Sequence, residues 1–331
     1  MAQSCYGDQS MHIPDGLMSP EVLILGWIVA VPVIAIAIWK LNKNIDERAI
    51  PFMAMLAAGI FVAQMLNFPV GGGTTGHLIG ATLAVILLGP YAAIVVITAI
   101  LVIQCFVFGD GGITALGLNL ANMAVIAPFI GWTTTRFLSG RMDKVGMLLA
   151  AWLSVVMAAL ACALELSLSY ELSNGAYGIS AGFAIPAMFG YHVLIGIGEA
   201  AITGGVVLYL AKVSPGILRI KDGIAGAKSI PAKGYVKAAF GIILAFAVGL
   251  IGFFSFSAAY GDGLEVTMER AGVHEIEPLF TSILGYGNGY GGVLLAGIIG
   301  FGIILISIMA YWAVKRSRTA RSMKPDRESE A

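Results

Sequence analysis

Nine apolar runs, each near the length a helix needs to cross a lipid bilayer, leave this chain few choices of fold. They lie near residues 21–40, 51–67, 77–89, 91–107, 114–136, 146–168, 187–211, 236–259 and 290–314. In hydrocarbon every backbone N–H and C=O must find its partner within the protein, which selects helices here. About 20 apolar residues cover the hydrocarbon, and fewer suffice where a helix is tucked inside a bundle. A mean hydropathy of +0.89, with 58% of residues hydrophobic and 11% charged, excludes a soluble globular domain. The expected class is an all-α polytopic membrane protein.

The third and fourth runs meet at Gly89-Pro90, where the missing proline N–H and the bias on the preceding residue favour a break. One long kinked helix is the alternative, and charge decides between them. Lys and Arg gather on the cytoplasmic side of membrane proteins. With nine spans and an outside N-terminus, every Lys and Arg except Arg270 falls on an inner loop or the inner tail. Merging the two runs would set the later basic loops against the first one. The expected topology is therefore N-out and C-in, with a possible leader over 1–10 and a seven-helix body over 11–213. A basic cytoplasmic linker follows over 214–235, then a two-helix tail over 236–315 and a charged cytoplasmic end over 316–331. The outer face collects acids, Asp15, Asp110, Asp262 and Glu265 among them, which either attract cations or only mirror the bias in basic residues.

Several function classes drop out. The 19 basic and 19 acidic residues cancel, so net charge argues for no nucleic-acid partner. Cys5, Cys105 and Cys162 are widely spaced and make no CxxC pair or disulfide framework. Residues 1–10 carry neither the basic nor the apolar region of a signal peptide. No GxxxxGK[ST] occurs, and the glycine run at 71–76 lacks the lysine of a phosphate loop, so no ATPase motif is present. HExxH and paired aspartates are missing too, and nothing marks the chain as an enzyme.

Chemistry is expected at histidine. His12 lies ahead of the first span and His77 opens the third, which puts both at the outer face. Gly71, Gly72, Gly73 and Gly76 let the backbone before His77 turn sharply and approach another segment closely. Two imidazoles on one face either build a site for Zn, Cu, Ni or Co or serve a structural role. Within the spans, His192 and Glu199 are seven residues apart on one helical face, and Glu165 lies in the sixth span. Ionisable groups there are costly, and read as pathway residues or as hydrogen bonds that orient the bundle. Gln64, Asn67, Asn119 and Asn122 read the same way, or as a shell that fixes an imidazole tautomer.

Three stretches carry a resemblance: Met11-His12-Ile13-Pro14-Asp15-Gly16-Leu17-Met18, Val70-Gly71-Gly72-Gly73-Thr74-Thr75-Gly76-His77-Leu78, and Leu88-Gly89-Pro90-Tyr91-Ala92. Together they resemble the CbiM/NikM family, the cobalt and nickel capture subunits of energy-coupling factor ABC transporters. Asn119–Met123 and His192–Thr203 are similar to it as well, so the resemblance covers about residues 11–215. The family implies a seven-helix body and an ion held by a methionine amine, the amide nitrogen and imidazole of the next histidine, and the imidazole after the glycine loop. Here those are Met11, His12 and His77. It also implies a membrane scaffold (T) component and two ATPase subunits as partners in the cell membrane. Ni2+ or Co2+ is then the transported ligand and no cofactor, supplied to nickel enzymes or cobalamin synthesis.

Gly261-Asp262-Gly263-Leu264-Glu265 is similar to the PDGLE motif of the small companion subunit (CbiN/NikN), with glycine in place of its proline, and implies a capture subunit and companion fused in one chain. Ten residues precede Met11, and an acylated Met11 nitrogen cannot act as an amine ligand. A mature chain that begins at Met11 meets the pattern; otherwise the site is rebuilt from the imidazoles with Asp15 or Cys5. Amine, deprotonated amide and imidazole from consecutive residues form fused chelate rings in one plane, and a second imidazole closes a square suited to Ni(II) or Cu(II). A rival reading is an ion-coupled secondary metal transporter that uses His192, Glu199 and Glu165.

Overall fold

The computed structural model describes residues 12–44, 50–71, 73–138, 143–213, 240–241, 244, 261–274, 276, 279–280, 282–284 and 289–322. The leader 1–10 with Cys5, Met11, the linker 214–235, most of the expected span at 236–259 and the end of the tail lie outside the described residues.

Nine helices stand among the described residues: α1 (Pro20–Asn44), α2 (Ile50–Gln64), α3 (Ala81–Leu88), α4 (Pro90–Phe108), α5 (Leu116–Leu138), α6 (Asp143–Leu172), α7 (Ala181–Val213), α8 (Gly263–Ala271) and α9 (Gly289–Ser322). Five of them, α1, α4, α5, α6 and α7, are long and apolar enough to cross a membrane. This is a mostly helical membrane protein. The break at Gly89-Pro90 is present: Gly89 has φ 85° and Pro90 opens α4, where its missing N–H would have no partner anyway.

The third expected span is corrected. Only Ala81–Leu88 is helical, which at 1.5 Å per residue rises about 12 Å against the ~30 Å of hydrocarbon. Ahead of it the chain doubles back in a small antiparallel hairpin, β1 (Phe68–Gly71) and β2 (Thr74–Gly76), so the chain is not helical throughout. The hairpin lies flat on α7, because a side chain at Gly76 would meet Ile195 at 2.7 Å and one at Gly198 would strike the Phe68 ring. Gly80 then takes φ 72° to turn the chain into α3.

Lipid and core sort the helices. α2 is apolar and buried on every side, the pattern of a central helix. α9 packs along it closely enough that a side chain at Gly300 would run into Phe61. α1 instead leaves Ile24, Ile28 and Ile36 exposed, as a lipid-facing helix does, and ends with the Lys43 ammonium 3.7 Å from the Trp39 ring. α4 closes in a π-helical turn at Gln104–Phe108, and α5 contains a longer π-helical stretch at Leu120–Ile126. Such wide turns re-aim side chains and are found mostly at functional sites. α6 and α7 form the longest helix pair, and the turn between them donates from the Gly178 N–H to the Leu17 carbonyl.

Candidate metal centre

The segment that begins at His12 is threaded into the bundle. His12, Ile13, Asp15, Leu17 and Met18 are all buried, although none belongs to a helix or strand. Backbone polar groups buried in that way need partners, and side chains supply them. Asn119 accepts from the Ile13 N–H at 3.0 Å and donates to the Ile13 carbonyl at 3.2 Å, while the Gly112 N–H reaches the same carbonyl at 2.9 Å. Asp15 Oδ1 accepts from the Thr114 N–H at 2.9 Å and the Thr114 hydroxyl at 2.6 Å. Ser169 Oγ accepts from the Ser19 N–H at 2.8 Å, just before α1 starts. Gly111, at φ 90°, is needed as glycine: a Cβ there would lie 2.9 Å from His12 Cβ.

The two imidazoles meet at the inner end of this segment. The His12 and His77 ring centroids are 5.6 Å apart, with the rings inclined at 69°. Metal–imidazole bonds are about 2 Å, so two rings can share one ion while their centroids stay within roughly 6.5 Å. Each ring has an acid beside it. His12 Nδ1–H donates to Asp110 Oδ1 at 2.8 Å, and His77 Nε2 faces Asp262 Oδ2 at 3.6 Å, too long for a hydrogen bond. His77 Nδ1–H donates to its neighbour's carbonyl, Leu78 O, at 3.3 Å.

Burial and charge drive the two rings apart in basicity. Burial disfavours the charged form of His12, but the charge of Asp110 and the hydrogen bond to it outweigh that and raise its pKa above the ordinary value. His77 is lowered to about 4, by burial first and then by repulsion from His12. Asp262 is raised to about 6 by burial, which the Glu265 and Leu264 N–H groups offset in part.

A cavity of about 70 Å³ opens below the pair, lined by His12, His77, His192, Asn122 and Asp262. His192 Nδ1–H donates to the Met188 carbonyl at 2.8 Å. The other residues picked out from sequence hold backbone or each other. Glu199, fully buried, accepts from the Ile79 N–H at 2.7 Å and the Gly80 N–H at 2.9 Å, and Gln64 donates to the Ile79 carbonyl at 2.8 Å. Together they fix the turn that carries His77. Asn122 donates to Glu165 at 2.7 Å. Asn67 does not line the cavity. The group on His12 Nδ1 is a carboxylate, Asp110. Among the described residues, no three His, Cys, Asp or Glu side chains converge as an ion-holding group.

The chain is similar to known proteins over most of its length. The family model described as the cobalt uptake substrate-specific transmembrane region, CbiM, matches residues 12–217. The chain belongs to the CbiM family. A protein of Archaeoglobus fulgidus named for fused nickel transport, NikMN, is 34% identical over 316 residues, covering 94% of this chain and all of that protein. The fused nickel transport protein NikMN of Rhodobacter capsulatus is 35% identical over 221 residues, covering 63% of this chain and 64% of that one. The crystal structure of a transition metal transporter is 43% identical and covers 62% of this chain and 94% of its own, with a TM-score of 0.57. The CbiM family is one of nickel and cobalt transport proteins, and its relatives are named as transporters, not as enzymes.

In this CbiM-family chain the acids next to the imidazoles are the residues that sequence reasoning missed as site groups. Asp110 lies 98 residues beyond His12, and spacing alone cannot pair them. Both acids stand beside glycine, in Asp110-Gly111-Gly112 and Gly261-Asp262-Gly263, and that was the available signal. The string Gly178-Ile179-Ser180-Ala181-Gly182 has the spacing of a hydrolase nucleophile turn, yet Ser180 follows a helix and a turn, with no strand before it to form the elbow.

Proposed function

We propose that this chain is the substrate-capture subunit of an energy-coupling factor importer, binding Ni2+ or Co2+ at the outer face of the cell membrane. The observation that carries the reading is the pair of imidazoles 5.6 Å apart at the end of the threaded segment, with His77 held neutral and the pKa of His12 raised by Asp110. The ligands are the Met11 amine, the His12 amide nitrogen and imidazole, and the His77 imidazole, with Met11 as the first residue of the mature chain. Residues 11–213 form the capture domain and 236–315 the companion domain, N-out and C-in. A membrane scaffold (T) component and two ATPase subunits supply the energy, since the chain carries no phosphate loop.

Geometry adds one requirement. A chelate that uses both the amide and the ring of His12 closes through Nδ1, because Nε2 points away from its own backbone. Nδ1 is the atom that faces Asp110, so capture trades the Asp110 hydrogen bond for the ion. The ion-coupled carrier reading loses support, because the Glu199 carboxylate is occupied by two backbone N–H groups and the Glu165 carboxylate by Asn122.

The test is His77→Ala in the full chain. Tight stoichiometric nickel binding is expected to disappear while the melting temperature stays close to that of the unsubstituted protein, since the bond from His77 Nδ1–H to Leu78 O is local to its own turn. Unchanged one-to-one binding refutes the assignment. Nickel and cobalt offered in competition, followed by metal analysis, identifies the cargo.

A further inference from the structure

We propose that the cavity below the His12–His77 pair is a second, weaker metal position, built on His192, into which the captured ion moves on its way inward. This rests on the capture reading. The four nitrogens of that reading complete a planar set without His192, and the ring needs another explanation.

Three observations supply one. The cavity that the rings of His12 and His77 line is lined also by His192, Asn122 and Met188. At about 70 Å³ it exceeds several times the roughly 10–15 Å³ that accommodates one water, enough for an ion with part of its hydration. Next, the tautomer of His192 is set. A carbonyl only accepts, so the 2.8 Å contact to Met188 O puts the proton on Nδ1 and leaves the lone pair on Nε2, the form in which imidazole binds metals. Gly263 fixes the ring from the other side, since a Cβ there would stand 2.7 Å from His192 Cε1 and 3.2 Å from Nδ1.

Asn122 completes the argument. It is 3% exposed, its amide NH2 is given to Glu165, and its Oδ1 has no hydrogen-bond partner among the described residues. A buried acceptor on a mostly apolar cavity wall, beside an imidazole, is satisfied by a cation or by the water that a cation carries. One ring nitrogen, one amide oxygen and water make a poor store and a good way-station, because conduction demands a position that the ion can leave.

The experiment separates this position from the capture site. Full-length His77→Ala is titrated with nickel alone, and one weak equivalent with an imidazole-ligated spectrum is expected to remain. Adding His192→Asn should remove it, although Asn still donates to Met188 O as a structural histidine would. In the otherwise intact chain, His192→Asn should keep the tight equivalent within about twofold and cut radioactive nickel uptake about tenfold or more, the range seen for residues that support a metal site. A weak equivalent that survives the double substitution, or normal uptake by His192→Asn, overturns the proposal. Tight binding by His77→Ala sinks the capture reading instead, and is seen before His192 is touched.

Discussion

At pH 7 the His77 ring is neutral, with its pKa held at about 4, so its lone pair is ready for an ion over the whole physiological range. His12 is different. Asp110 raises its pKa, and a metal that binds His12 must first displace a proton. Nickel affinity is therefore expected to fall on acidification through the raised pKa of His12, beginning above the ordinary value of 6.5 and well before His77 protonates. Asp110→Asn removes the charge that favours the imidazolium, lowers the His12 pKa and shifts the acid limb to lower pH. Affinity measured against pH for both proteins checks the sign, and coincident limbs would refute it. Glu199→Gln addresses the other ring. One carboxylate now serves two N–H donors, whereas an amide offers one acceptor and turns an NH2 towards the second. A loss of about 1–3 kcal/mol in stability is expected, with nickel affinity down roughly 10–100-fold as the turn under His77 loosens. Thermal melts and titration would show both. At this scale the two histidines could be read from the short stretches around them, but their acids could not, because each is brought in by a distant part of the chain.

At the scale of elements, hydropathy located the long helices well and the short ones poorly. α6 and α7 appear where apolar length demanded them, and α2 is one of the shorter apolar helices. The run at 77–89 misled because residues 77–80 are apolar for another reason: Leu78 and Ile79 are core residues of a turn, held by Glu199 and Gln64, not of a helix. α8 fell in a stretch read as an outer loop. Its start was nonetheless written in Asp262 and Glu265, three apart, which form a reciprocal cap: Asp262 Oδ1 accepts from the Leu264 N–H at 2.8 Å and the Glu265 N–H at 2.9 Å, and Glu265 accepts from the Asp262 N–H at 2.8 Å. The other Asp262 oxygen faces His77. Asp262→Asn keeps the cap, since asparagine serves equally well there, and removes the charge. Helix content by circular dichroism should be unchanged while nickel affinity drops severalfold; a collapse of helix content would mean that the acid acts only as a cap.

At the scale of the molecule, the proposed chelate depends on a mature chain that starts at Met11. Protein purified from membranes is expected to show an intact mass that begins at Met11, and a form that retains residues 1–10 is expected to lose tight nickel binding. Full affinity in a chain carrying Met1 would refute the amine ligand. The threaded segment has a further consequence for biogenesis. Residues 12–19 are made before the residues that seat them, Thr114, Asn119, Ser169 and Gly178, and the Leu279 N–H reaches Asp15 at 3.3 Å. A segment made ahead of its partners therefore finds its berth only after they are in place. The proposed capture site therefore becomes complete only once the bundle has closed around this segment.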